Sequence, residues 1–205
     1  MTAIPFDAVL FDVDGTLALT ATLHFDAFNA AAKRQGAQMS RAWYDRRKGL
    51  DRRGLTAAFA ASHERETGHR LDAGALMVDS LALTIERAAL VAVENPPVAA
   101  LARRLHGRVP LAVGSNAETP VAEVVLAGAG LAALFDAIVT VSETGRAKPA
   151  PDIFARAAAR LGVAAHRCLV LEDSDEGMEA AHRAGMTGWD IRLARTMARV
   201  ESFGL

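Results

Sequence analysis

The 205-residue chain has a single cysteine, Cys168, so no internal disulfide can form, and a lone thiol suits a reducing cytoplasm. It carries no surplus of charge: 23 Lys and Arg stand against 24 Asp and Glu, for a formal net charge of −1. That balance argues against nonspecific nucleic-acid binding as the main activity. It also lacks an uninterrupted apolar run of membrane length. The most apolar long stretch, Ala75 to Val93, is broken by Asp79, Glu86 and Arg87 and reads as a helix with one buried face. The opening "MTAIPFDAVLFDVD" has no basic region, long apolar core or small-residue cleavage site, so no secretion signal is expected. What the chain does have is apolar mass. Apolar residues make up 51 % and charged residues 23 %, enough for a sizeable core in one domain, or in a core with a smaller insertion.

Short apolar runs of strand length recur at Ala8 to Val13, Val109 to Gly114, Ala137 to Val141, Cys168 to Leu171 and Gly188 to Ile191. From Val109 onward they alternate with helical patterns at Pro120 to Ala127, Asp152 to Leu161 and Glu176 to Ala184. This alternation predicts a parallel sheet covered on both faces, with ligands at the carboxyl ends of the strands. Between the first and second strands no strand pattern occurs. Four helices are predicted there instead, at His24 to Gln35, Ser40 to Arg47, Leu55 to His63 and Ala73 to Val93. At "ENPPVAAL", Pro96 and Pro97 close one helix and open the next.

The strand ends carry the chemistry. Asp12 and Asp14, two apart at the end of the first strand, are expected to face one site, where two carboxylates repel unless a cation lies between them. Gly15 permits the turn that follows. Ser115 and Asn116 follow the second strand, and Lys148, fixed by Pro149, follows the third. Glu172, Asp173 and Ser174 follow the fourth. Oxygen-only donors of this kind suit a hard cation, magnesium first, sharing a substrate phosphate.

"DVDGTL", "VGSN", "KPAPDIF" and "LEDSDEGMEAAHRAGM" resemble the four ordered motifs of the haloacid dehalogenase-like superfamily. The likeness is to its branch of sugar phosphatases and β-phosphoglucomutase. The resemblance implies an α/β fold: a Rossmann-like three-layer parallel-sheet core, residues 1–18 and 94–205, with an inserted all-helical cap, residues 19–93. It implies that Asp12 is the nucleophile, forming an aspartyl-phosphate, and that Asp14 is the acid and base. Magnesium would be held by Asp12, the Asp14 carbonyl and Asp173, with Glu172 behind them. Ser115, Asn116 and Lys148 would bind the phosphoryl oxygens. In the cap, "KGLDRRGL" resembles the substrate-specificity loop, with Gly49 and Arg52. His24 matches a histidine that positions the acid/base residue, and the cap is expected to close over the site. Leu19, Ala21 and Ala147 depart from the pattern without removing a catalytic group.

Competing readings are weaker. A calcium loop at "DVDG" needs its glycine at the sixth position and a glutamate at the twelfth, where the chain has Leu23. "GAGLAA" follows a helix and reads as a helix end, not as a dinucleotide fingerprint. Ser115 lacks the flanking glycines of a hydrolase elbow. The basic run "RAWYDRRKGLDRRG" reads as a solvated helix face that also attracts anionic substrates. Cys168 reads as core packing, and His63, His69, His106, His166 and His182 receive no role. The expected function is a magnesium-dependent phosphatase acting on a small phosphorylated metabolite, without nucleic acid or membrane, as a cytoplasmic monomer. A hexose-phosphate mutase of the β-phosphoglucomutase type, resting on Arg52 and His24, is the alternative. A noncatalytic phosphoryl-binding module is the third reading; it has no use for Asp14.

Overall fold

The computed structural model describes residues 4–47 and 49–203, so Lys48 of the predicted specificity loop and the outer ends of the predicted core segments lie outside them. Five strands, β1 (Ala8–Phe11), β2 (Leu111–Ser115), β3 (Ala137–Thr140), β4 (Cys168–Glu172) and β5 (Thr187–Asp190), form one parallel sheet in the order β3-β2-β1-β4-β5. β1, β2 and β4 are buried along their whole length, as expected for central strands covered on both faces.

The two-residue period of β1 distributes its side chains between two layers. Val9 and Phe11 join a cluster with residues of α5 (Pro96–Leu105), α6 (Thr119–Gly128) and α10 (Ala194–Ser202). Ala8 and Leu10 join a second cluster with residues of α8 (Asp152–Leu161) and α9 (Asp175–Arg183). The sheet is thus sandwiched in three layers. A further turn, α7 (Val141–Thr144), follows β3.

Four helices lie between β1 and β2: α1 (Ala21–Arg34), α2 (Arg41–Asp45), α3 (Arg52–Thr67) and α4 (Ala73–Val91). They enclose their own apolar cluster, including Phe28, Tyr44, Leu55, Phe59 and Leu76. Asp51 caps α3 by accepting from the Gly54 amide at 2.8 Å, which fixes Arg52 as the first helical residue. α4 is shared, since Leu76 belongs to this cluster and Ala88 to the sheet cluster. The two chain crossings into the inserted helices run side by side. The Leu19 amide donates to the Val93 carbonyl and the Asn95 amide to the Leu17 carbonyl, each at 2.8 Å.

One local expectation is corrected. β1 ends at Phe11, so Asp12 and Asp14 are not neighbours on one face of a strand. The Asp12 amide still bonds the Leu171 carbonyl at 3.0 Å, but the chain then coils. The Val13 carbonyl accepts from the amides of Thr16, Leu17 and Ala18. The tight turn, made possible by Gly15 at φ 95°, still leaves both carboxylates on one cavity wall, by coiling the chain and not by strand alternation.

Candidate active site

The carboxyl ends of β1, β2 and β4 open on a cavity of about 120 Å³ beneath the inserted helices. Its wall includes Asp12, Asp14, Asn116, Lys148, Glu172 and Asp173 from the sheet side, and His24, Gly49 and Arg52 from the inserted side. Nine residues predicted from four separate strand ends and from the insertion therefore meet at one place.

Lys148 is the electrostatic centre. Its Nζ donates to Asp12 Oδ1 and to Glu172 Oε1, both at 2.7 Å, and lies 4.5 Å from the centre of the Phe154 ring. All three groups are buried. Burial pushes the Asp12 carboxyl well above its ordinary range against the pull of Lys148, and the neighbouring Glu172, Asp173 and Asp14 add to the rise. Burial opposes the charge on Lys148, but Asp12 and Glu172 outweigh it and hold the ammonium above its ordinary pKa. The local balance is one lysine against several carboxylates.

The second oxygen of Glu172, Oε2, accepts from the Ser174 amide at 2.7 Å and the Ser174 hydroxyl at 2.8 Å. Ser174 in turn caps α9 by accepting from the Gly177 amide at 3.0 Å. Glycine is required at 177, because a Cβ there would overlap the Glu172 carboxylate. Both Glu172 oxygens are thus engaged by the protein. Carboxylate oxygens of Asp12, Glu172 and Asp173 lie within 4.8 Å of one another. This all-oxygen set with surplus negative charge fits a hard divalent cation.

On the inserted side, Asp14 Oδ1 lies 2.6 Å from His24 Nε2 and accepts from the Thr20 hydroxyl at 2.7 Å. Burial alone would raise its pKa, but the His24 charge and hydrogen bond and the Thr20 hydrogen bond prevail and lower it to about 2. Arg52 is 4 % exposed at its side chain, and its Nε donates to both Glu118 oxygens, at 3.0 and 3.1 Å. The Gly49 carbonyl accepts from Asn116 Nδ2 at 3.4 Å, and a Cβ at Gly49 would collide with the Glu176 carboxylate. The loop before α3 therefore rests directly on the sheet side of the cavity.

Ser115 departs from expectation. It is fully buried and absent from the cavity wall, and its Oγ accepts from the Ala117 amide at 3.0 Å. It shapes the loop that carries Asn116, whose Oδ1 accepts from the Lys148 amide at 2.8 Å. Leu19 is 54 % exposed, whereas Ala21 lines the cavity. Among the wall residues that the sequence did not single out, Thr20 and Glu118 bond functional side chains directly, Asp14 and Arg52. Thr20 lies four positions before His24 and Glu118 two after Asn116, and those spacings were the available signals.

A haloacid dehalogenase-like hydrolase family model matches residues 6–185, and the chain belongs to that family. It is an enzyme of the hydrolase class. Fructose-1-phosphate phosphatase YqaB of Escherichia coli (strain K12) is 33 % identical over 194 residues, covering 92 % of this chain and 97 % of the relative. β-Phosphoglucomutase of Bacillus subtilis (strain 168) is 29 % identical over 189 residues, covering 87 % of this chain and 80 % of the relative. Among solved structures, CbbY of Rhodobacter sphaeroides in complex with phosphate superposes with a TM-score of 0.79 at 27 % identity, covering 89 % of this chain and 84 % of that one. A mutant CbbY from the same organism has been solved with xylulose-(1,5)bisphosphate, with a TM-score of 0.78 at 26 % identity and the same coverage.

Proposed function

We propose that this enzyme is a magnesium-dependent phosphatase that hydrolyses small phosphate monoesters, sugar phosphates above all, through an aspartyl-phosphate on Asp12. The observation that carries the reading is the meeting of Asp12 and Asp14 on one cavity wall, with Lys148 Nζ 2.7 Å from Asp12.

In the first step an Asp12 oxygen attacks phosphorus and the bond from phosphorus to the ester oxygen breaks. The departing oxygen takes a proton from Asp14. His24 and Thr20 hold Asp14 ionised, and the negative charge of an incoming phosphate raises its proton affinity. In the second step a water molecule gives a proton to Asp14 and attacks phosphorus; the Asp12–phosphorus bond breaks and inorganic phosphate is released. Lys148 and Asn116 meet the phosphoryl oxygens, and Ser115 holds the loop that presents Asn116. His24 and Thr20 position Asp14. Asp12, the Asp14 carbonyl and Asp173 would hold magnesium, which when bound neutralises charge on the phosphoryl group. Glu172 serves Lys148 and Ser174 instead.

The antiparallel bridge between Ala18 and Glu94 supports a hinge at the predicted boundary between core and cap, with residues 19–93 as the cap. The lone buried thiol supports a reducing, cytoplasmic setting, and no helix among the described residues is long and apolar enough to cross a membrane. We expect a monomer, because the inserted helices bury their apolar faces within the chain.

The test is release of inorganic phosphate from a panel of sugar monophosphates and bisphosphates with magnesium, followed by phosphorus NMR. The bisphosphates belong in the panel because CbbY has been captured with one. Wild type is expected to release phosphate, and Asp12→Ala to lose at least about 1,000-fold in kcat. Turnover in Asp12→Ala equal to wild type would overturn the mechanism. Migration of phosphate between sugar positions, with little free phosphate, would instead establish the mutase.

A further inference from the structure

The cavity wall carries surplus negative charge. Among the described residues that line it, six carboxylates (Asp12, Asp14, Asp51, Glu118, Glu172 and Asp173) face two permanent cations, Lys148 and Arg52. Lys148 is taken by Asp12 and Glu172. Arg52 is taken as well, and more completely than an arginine waiting for a ligand.

Its Nε donates to both Glu118 oxygens, its Nη1 to Ser80 Oγ at 3.0 Å, and its Nη2 to Thr84 Oγ1 at 3.4 Å. Ser80 and Thr84 are held in turn, since their hydroxyls donate to the carbonyls of Met77 at 3.1 Å and Ser80 at 2.7 Å. The guanidinium carbon lies 4.9 Å from the centre of the Phe28 ring. A ligand anion could take the Nε edge of this guanidinium only by displacing Glu118, and elsewhere on the group it would meet a charge that Glu118 already neutralises. Once displaced, the carboxylate would be left unpaired on the wall of a cavity already rich in negative charge, which is costly.

We propose that Glu118 is a specificity-determining residue that restricts the enzyme to monophosphates with an uncharged sugar moiety, by neutralising Arg52 and repelling a second phosphate. This inference rests on the phosphatase reading. One phosphoryl group finds Lys148, Asn116 and the divalent cation, and a second finds no unpaired cation among the described wall residues. The Arg52–Glu118 pair instead offers hydrogen-bonding edges to neutral hydroxyls. The discrimination works by an element that rejects the wrong ligand, not by extra grip on the right one.

The test compares fructose bisphosphate with each of its monophosphates as substrates of wild type, Glu118→Gln and Glu118→Asp. Wild type is expected to favour the better monophosphate by at least about tenfold in kcat/KM. Glu118→Gln should narrow that ratio by about tenfold or more, chiefly by lowering KM for the bisphosphate, while Glu118→Asp, which keeps the charge, should preserve it. A merely structural defect lowers both efficiencies together and leaves the ratio unmoved. A ratio unmoved in Glu118→Gln would overturn the proposal, as would a wild type that hydrolyses the bisphosphate as well as the monophosphates. If wild type turns over neither ester, the phosphatase reading fails. Calorimetric affinities of the same ligands then still decide the selectivity: wild type binding the bisphosphate as tightly as the monophosphates would overturn it.

Discussion

At the scale of single residues, Asp14 and Cys168 show how local partners set a group's chemistry. Asp14 receives His24 and Thr20 on the same oxygen, so its orientation depends on two donors from the start of the inserted segment. An acid and base must stand within hydrogen-bond reach of the ester oxygen, and a carboxylate free to turn loses that placement. His24→Ala is therefore expected to lower kcat about 10- to 100-fold while KM moves less, as read from steady-state kinetics. A kcat within about twofold of wild type would remove His24 from the positioning role. Cys168 is the contrasting case, a group without chemistry. Burial pushes its thiol up to about 11, with Asp7 adding to the rise, from an ordinary value of 9.0. As pH rises from 9 toward 11 the unfolded chain gives up this proton and the folded chain keeps it. The contribution to stability is therefore complete below that window and is lost as pH climbs through it. Urea midpoints of wild type should fall more steeply over this range than those of Cys168→Ala. Parallel curves would contradict the burial of the thiol.

At the scale of elements, α4 ties the inserted helices to the sheet layer. A Cβ at Gly128, the last residue of α6, would sit 2.9 Å from the Ala88 carbonyl oxygen and 3.1 Å from the Ala92 side chain. The two helices can approach this closely only because that side chain is missing. Gly128→Val should overpack the contact and lower stability by about 1–3 kcal/mol, seen as a shifted urea midpoint with an unchanged slope. It should also lower activity, because α4 carries the Ser80 and Thr84 partners of Arg52. An unchanged midpoint would mean that the contact is not held in solution. These helices and strands were largely legible in the chain, since an apolar period of two or of 3.6 residues is a local property. α10 was not, because only Thr196 and Val200 of its nine residues are buried and it offers little apolar face to read. The coil after β1 was hidden for another reason. "FDVDG" continues an apolar alternation, and the turn emerges from three amides converging on one carbonyl. The site followed the same division. Asp12, Asp14 and Asp173 stand within three residues of recognisable strands and Lys148 is marked by the proline that follows it, whereas Arg52 and Glu118 are 66 positions apart and meet only when the insertion folds over the sheet.

At the scale of the whole molecule, folding gathers like charges that the extended chain keeps apart. A sheet ordered β3-β2-β1-β4-β5 brings the ends of β1 and β4 together, and with them Asp12, Glu172 and Asp173, beside one lysine. Without a metal, this convergence opposes folding, so removing one carboxylate should be neutral or stabilising. With magnesium the sign reverses, because an ion that binds only the folded chain stabilises it by mass action. At a magnesium concentration about 100 times Kd that stabilisation is about 2.7 kcal/mol, or about 5–10 °C in Tm for a chain of this size. Thermal unfolding of wild type and Asp173→Asn, each with magnesium and with chelator, separates the two effects. In chelator the variant should melt no lower than wild type. With magnesium, wild type should rise by several degrees and the variant by much less. Equal rises would place the ion on other residues. No rise in either protein would mean that the surplus carboxylates at the strand ends are left for the substrate phosphate to face with Lys148 alone.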